Sequence, residues 1–465
     1  MIINLNLLIF TNLISLRTCT IFPYVYPRLK LEAKTPDVAG EALFLTPHLE
    51  EGNITRAQNL SRVPFTEKLG FKSYSGFFTV NKISRSNLYF WYFPPFSKTE
   101  ESPVVLWLQG GPGASSLFGL FTEIGPLVAK SGGFGLRRYH WALHYHLLFI
   151  DNPVGTGFSF TEQKAGYCKT EECIAENLFK ALQQFFVMFP NLKSNELYIA
   201  GESYAGKYTV SLAMYIHRKN SETNDVQVNL QGLALGNAYC DPVNQMDYGN
   251  YLYQHGLLDN DQRKVFLHVQ NRIAEKIKQK NWAQADLLMD KLMDGGLTNT
   301  SFFKMYTGFN YFYNFMKTED DDEITIFSKL IHNDKVRRMI HVGGRPFNSG
   351  EEVQMYLAYD LLKSVAPTIE QLLLNYRIMF YNGQLDIIVA YPLTVSFLRK
   401  LKYPSAFEYK HGSRLIWFVD EEIAGYVKKA GNLMEVMVRN AGHMVPHDQP
   451  KWALNMIMRF IQGTF

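Results

Sequence analysis

"LYIAGESYAGKYTV", Leu197 to Val210, is the stretch on which the fold turns. "LYIA" reads as a buried β-strand, and Val210, Ala213 and Tyr215–Ile216 recur at helical spacing beyond it. Ser203 therefore stands where a strand turns sharply into a helix. Such a corner has no room for bulky neighbours, which accounts for Gly201, Ala205 and Gly206 around it. The turn lifts the hydroxyl off the end of the sheet, where the N–H groups opening the helix face the same spot. This is a nucleophile-elbow pattern with Ala205 in place of the final glycine. An ordinary strand-to-helix turn would carry the same residues, so partners for the serine have to be sought elsewhere.

Outward from that corner, "PVVLWLQGGPG", "HLLFIDNPVGTGFS" and "VNLQGLALGNA" are further apolar runs ending in Gly- or Pro-rich bends. Helical spacing over Ile174 to Phe189 separates two of them, which is the signature of an α/β domain with a mostly parallel sheet. "SYSGFFTV" and "SNLYFWYFPPF" predict a hairpin at the sheet edge. The expected organisation is a leader over 1–20, a polar segment over 21–69, a first core part over 70–242, a helical insertion over 243–345 and a second core part over 346–465.

The chain has 465 residues, 47% hydrophobic and 19% charged, so it can bury a substantial core. A formal charge of +4 with scattered Lys and Arg argues against a nucleic-acid partner. The leader "MIINLNLLIFTNLISLRTCT" is apolar but too short and too Asn-rich to span a bilayer, and it reads as a secretory signal. Sequons at Asn53, Asn59 and Asn299 favour an exported glycoprotein, secreted or lysosomal, with no membrane partner. Of Cys19, Cys168, Cys173 and Cys240, the pair Cys168 and Cys173 flanks a short loop that a disulfide could close. No Cys/His spacing resembles a metal site, and no cofactor motif is present.

A serine needs a base to take its proton and a carboxylate to orient that base. On this architecture the chain order should be Ser, then Asp, then His, each just past a strand. "IMFYNGQLDIIV" supplies Asp386 and "VMVRNAGHMVPHDQP" supplies His443, while His447 lies further from the strand end, beyond Pro446. An oxyanion site needs two N–H donors. Tyr204, after the serine, offers one, and the loop in "WLQGGPGASS" is placed to offer the other.

These segments, with "DNPVGTGFSF", "GNAYCDP" and "GHMVPHDQP", resemble the serine carboxypeptidases in their order along the chain, most closely the vitellogenic-like branch. The resemblance covers about residue 70 to the C-terminus and is weakest across the insertion. It implies an α/β-hydrolase fold with a helical cap, and release of single residues from peptide or protein C-termini. Carried over, it makes Ser203 the nucleophile, His443 the base and Asp386 its orienter, with Gly111 and Tyr204 as oxyanion donors. Gln109, Gly110, Glu123 and Glu202 would hold the substrate carboxylate. Gln109 stands where the family commonly has Asn, and Ala114 where a Cys is frequent, so one common disulfide cannot form. A homodimer is compatible with the resemblance.

Two glutamates facing a carboxylate can work only if at least one of them carries a proton, which burial and like-charge crowding favour. The expectation is activity at acid pH, within the limit that His443 must be neutral to act as base. Acyl transfer or ester hydrolysis with the same residues, and a non-catalytic binding or storage protein on the same fold, are the competing readings.

Overall fold

The computed structural model describes residues 29–465 except 98, 131–132, 223–226, 297 and 320–322; the expected leader, with Cys19, lies outside them. Ten strands, β1 to β10 in chain order, form the central sheet: Tyr74–Asn81, Ser86–Phe93, Val104–Leu108, His146–Ile150, Leu197–Glu202, Leu230–Gly236, Arg377–Gly383, Leu415–Val419, Glu422–Ala430 and Leu433–Val438. Their order is β1-β2-β4-β3-β5-β6-β7-β10-β9-β8. The run from β4 to β10 is parallel, and an antiparallel hairpin finishes each edge. This is the α/β-hydrolase arrangement.

The central strands are apolar throughout because both faces are covered; every residue of β3, β4 and β5 is buried. Period-two alternation sorts their side chains into two cores. Leu106 and Ile199 join one core together with Leu178, Leu182 and Leu212 of the helices Glu171–Met188 and Ala205–Glu222. Val105, Trp107 and Ala200 join the other, with Met456, Ile457 and Phe460 of the closing helix Pro450–Gln462.

Among the described residues no strand of this sheet lies between Gly236 and Arg377. Helices occupy that excursion, the longest being Asn260–Lys278. Its start is fixed by a capping box, in which the Asp259 carboxylate accepts from the Gln262 N–H at 2.8 Å and Gln262 accepts from the Asp259 N–H at 2.9 Å. The 21–69 segment, read as polar and aperiodic, carries four short helices within its described part, the longest Ile54–Ser61. Elements of four to eight residues are too brief to show a helical period. The C-terminal hairpin β8–β9 turns through Asp420 and Glu421, both at positive φ (48° and 68°).

Candidate active site

Ser203 follows β5 directly and sits at φ 62°, a left-handed conformation costly for a residue with a Cβ. Its N–H donates to the Gly236 carbonyl at 2.9 Å, and its own carbonyl accepts from Gly206 at 3.0 Å and Tyr239 at 2.9 Å. These bonds hold the corner. A Cβ on Gly206 would lie 2.7 Å from the Ala238 Cβ and 2.9 Å from the Cys240 sulfur, so the small residues are a packing requirement. Tyr204 is anchored from below, its hydroxyl donating to Glu171 at 3.0 Å. Burial pushes that carboxyl up to about 7.

β7 delivers Asp386 and β10 delivers His443 to the same C-terminal end of the sheet as Ser203, and both are fully buried. His443 Nδ1 lies 2.9 Å from Asp386 Oδ2. The same oxygen accepts from Asn237 Nδ2 at 2.7 Å and from the Val389 N–H at 3.2 Å, while Oδ1 accepts from the Ile388 N–H at 3.0 Å. With so many donors around it the aspartate is held as an acceptor, which assigns the His443 proton to Nδ1 and leaves Nε2 as the basic nitrogen. Nε2 is buried and carries no hydrogen bond among the described residues, so a Ser203–His443 bond is not made in this state. Such bonds often tighten only when substrate is present.

The helical excursion takes part in this construction. The His443 N–H donates to the Tyr313 carbonyl at 2.6 Å, Ile387 and Ile388 both donate to the Phe312 carbonyl at 3.2 Å, and Phe315 donates to the Leu385 carbonyl at 2.9 Å. The Tyr251 hydroxyl adds a bond to the Asp386 carbonyl at 2.7 Å.

The glycine loop after β3 lies against the elbow. A Cβ on Gly110 would stand 2.6 Å from the Glu202 carbonyl, 2.7 Å from the Tyr204 nitrogen and 2.8 Å from the Ser203 Cβ. Among the described residues, neither the Gly111 nor the Tyr204 main-chain N–H donates to another group. The loop is braced by Ser115, whose hydroxyl donates to Asp151 at 2.5 Å, and by Gln354, which donates to the Pro112 carbonyl at 3.1 Å. Because the contacts at Gly110 are to main-chain atoms and to the Ser203 Cβ, none of which can swing aside, Gly110→Ala is expected to displace the elbow and lower kcat/KM by about 10²-fold. Steady-state kinetics beside a melting curve will check this; a variant with wild-type turnover would refute the close approach.

Glu202, the last residue of β5, and Glu123 are both fully buried, and their carboxyls are brought side by side on the same Gln109 amide nitrogen. Two buried carboxylates held this close would repel, which favours a proton on the pair. Burial pushes the Glu123 carboxyl up, opposed by its contacts with Glu202 and Gln109 and by His447 and His443 nearby. Gln109 Nε2 donates to Glu123 at 3.0 Å and to Glu202 at 3.2 Å, and the amide cannot flip because its oxygen accepts from Trp107 Nε1 at 2.7 Å. Gln109, Gly110, Glu123 and Glu202 are thus brought together beside Ser203. His447 makes its bond to the Thr122 carbonyl at 3.2 Å, on the Glu123 side of the site.

Cys168 and Cys173 are joined by a disulfide at the start of helix Glu171–Met188, and Cys240 is a buried free thiol. Asn53, Asn59 and Asn299 are exposed. Asn59 lies within helix Ile54–Ser61, whose Ser61 is buried. Among the described residues no His/Cys/Asp/Glu group is arranged to hold a metal, and no helix is long and apolar enough to cross a membrane. Sequence reasoning gave no role to Asn237, Trp107 or the Phe312–Tyr313 carbonyls. Asn237 could have been suspected from its place at the end of a strand in "GNAYCDP".

Comparison with known proteins places the chain in a family. The serine carboxypeptidase family model matches residues 64–463. The "Venom serine carboxypeptidase" of Apis mellifera is 47% identical, covering 94% of this chain and 95% of its own length. The "Vitellogenic carboxypeptidase" of Aedes aegypti is also 47% identical, with 93% and 92% covered. Among solved structures, the Kex1 prohormone-processing carboxypeptidase of Saccharomyces cerevisiae superposes with a TM-score of 0.71 over 84% of this chain and 92% of its own; at 23% identity this likeness concerns the fold.

Proposed function

The chain belongs to the serine carboxypeptidase family and is a serine-type carboxypeptidase, and from that premise we propose that Ser203, His443 and Asp386 carry out the hydrolysis. The observation that carries the reading is the His443 Nδ1 contact to Asp386, 2.9 Å long and surrounded by donors that keep the aspartate an acceptor. His443 Nε2 takes the Ser203 proton as Oγ attacks the scissile carbonyl. The N–H groups of Gly111 and Tyr204 receive the developing oxyanion. The proton then passes to the leaving amine, freeing the terminal amino acid, and water repeats the sequence on the acyl-enzyme.

Recognition of the terminal carboxylate falls to Glu202, Glu123, Gln109 and the Gly110 main chain. Both Gln109 amide hydrogens are engaged by the glutamates, so the group offered to the substrate is the proton that the pair retains. Two anions cannot share this site, so binding weakens as pH rises through the elevated Glu123 range and the proton is lost. Activity is therefore highest in acid. This suits an enzyme of the secretory pathway, secreted or lysosomal, with glycans on Asn53, Asn59 and Asn299.

Glu202→Gln removes the shared acid while keeping a donor. It is expected to lower kcat/KM at acid pH by about ten- to a hundredfold, the worth of one hydrogen bond to a charged group. Its alkaline limb should also flatten. A variant with the wild-type pH profile on peptides would rule out the proton-sharing pair. The activity itself is tested by a mass-spectrometric time course on mixed peptides and their C-terminal amides. Residues should leave singly from free C-termini, and amidated peptides should resist. Equal cleavage of ester and amide-blocked substrates would favour an esterase.

A further inference from the structure

Lys207, the third residue of the helix Ala205–Glu222 that opens at the elbow, is fully buried. A lysine is rarely taken so far from water unless its ammonium is paired. Here Nζ donates to the Asp360 carbonyl at 2.5 Å and to the Leu361 carbonyl at 3.2 Å, with the Asp360 carboxylate 3.8 Å away. It also lies 5.0 Å from the centre of the Tyr204 ring, whose hydroxyl donates to Glu171. Burial lowers the pKa of the ammonium, and the Glu171 and Asp360 charges oppose that shift. No step of the hydrolysis described above uses this charge.

The carbonyls that Lys207 holds belong to a segment, residues 350–365, with attachments at both ends. It begins against the glycine loop after β3. A Cβ on Gly113 would stand 2.8 Å from the Gly350 Cα and from its carbonyl oxygen, and Gln354 donates to the Pro112 carbonyl at 3.1 Å. The segment ends at Val365, whose N–H donates to the Cys240 carbonyl at 2.9 Å. Between these points Lys207 grips it at 360–361. Gly111 thus lies on the loop at one end of the segment, and Tyr204 lies against the ammonium that holds its middle. The two main-chain N–H groups assigned to the oxyanion share one brace. An apolar side chain of equal length would fill the space of Lys207 but leave both carbonyls without this donor.

We propose that Lys207 is a positioning residue of the reaction: by gripping residues 360–361 it fixes the spacing between the Gly111 and Tyr204 N–H donors. The proposal rests on the peptidase reading above, in which those two groups receive the oxyanion. Donors fixed in advance stabilise charge as it develops, without having to be drawn together at the moment of reaction. The uncharged carbonyl of the bound substrate makes less use of them. Slackening the brace should therefore lower kcat and leave KM nearly unchanged.

Two substitutions in the full chain test it. Lys207→Met keeps the length of the side chain and removes its charge; kcat on a blocked dipeptide should fall about 10²-fold, the worth of one oxyanion donor. Gln354→Met loosens the same brace at its other end without touching the ammonium, and should cost about tenfold because a donor is displaced and not lost. An N-blocked peptide aldehyde, whose carbonyl oxygen becomes the oxyanion when Ser203 adds, should lose affinity by the same factors. A purely structural role would move the melting temperature but neither kcat nor aldehyde binding. Variants that fold, by their melting curves, and match the wild type in both readouts overturn the proposal. Should Lys207→Met fail to fold, Gln354→Met decides alone, and a wild-type kcat in it is equally fatal. Ser203→Ala keeps the parent reading separate: if it binds the aldehyde as tightly as the wild type, the assignment of Ser203 falls and this inference with it.

Discussion

Ser203→Ala is expected to lose about 10⁶-fold in kcat on a blocked dipeptide, leaving the residual rate that binding and oxyanion donors alone sustain. The reason is chemical: with Oγ gone, no acyl-enzyme forms, and His443 has only water to activate in a site shaped for a serine. The fold should be untouched, because Ala at φ 62° carries the same backbone strain as Ser. Melting temperature is thus expected to stay close to wild type, whereas Ser203→Gly should raise it, since glycine adopts that conformation without penalty. Fluorophosphonate labelling, present in wild type and absent in both variants, is the direct assay. Turnover by the alanine variant within tenfold of wild type would remove Ser203 from the mechanism.

Asp386→Asn should cost about 10⁴-fold in kcat with little change in KM. Oδ2 accepts from His443 Nδ1, Asn237 Nδ2 and the Val389 N–H, and Oδ1 from the Ile388 N–H. Asparagine can offer only one oxygen to these donors. Wherever its NH₂ points, a donor meets a donor, and the neighbour able to give way is the imidazole, which can move its proton to Nε2. His443 would then present a hydrogen where the mechanism needs a lone pair. Asn237→Asp is the informative companion: a second buried carboxylate beside Asp386 should also be harmful, through charge rather than tautomer. Single-turnover kinetics on an ester substrate would separate a slowed chemical step from weakened binding. An unchanged acylation rate in Asp386→Asn would sink the assignment.

Much of the architecture was legible because its signals are local. "LYIAGESYAGKYTV" encodes strand, corner and helix within fourteen residues, and the corner lies where that pattern puts it, Ser203 included. Asp386 and His443 could be placed because each follows an apolar run that becomes a neighbouring parallel strand. The β8–β9 hairpin escaped notice: its turn uses Asp420 and Glu421 at positive φ where Asn-Gly would advertise the bend, and β9 mixes Lys428 and Lys429 into its run. Asn237 has a meaning only in three dimensions, since it lies 149 residues from the carboxylate it holds. The carbonyls of Phe312 and Tyr313 leave no trace in residue identity at all.

Those two carbonyls limit how the enzyme can be remodelled. Segment 312–315 lies within the long helical excursion, yet its main chain is tied to the loops bearing Asp386 and His443. Lifting the whole excursion away would break these bonds and unseat the imidazole together with its aspartate. Lengthening or swapping helices on either side could reshape substrate preference freely, provided this short splice stays in place. A chimera that carries a foreign excursion but lacks the splice should fold its sheet and still be inert.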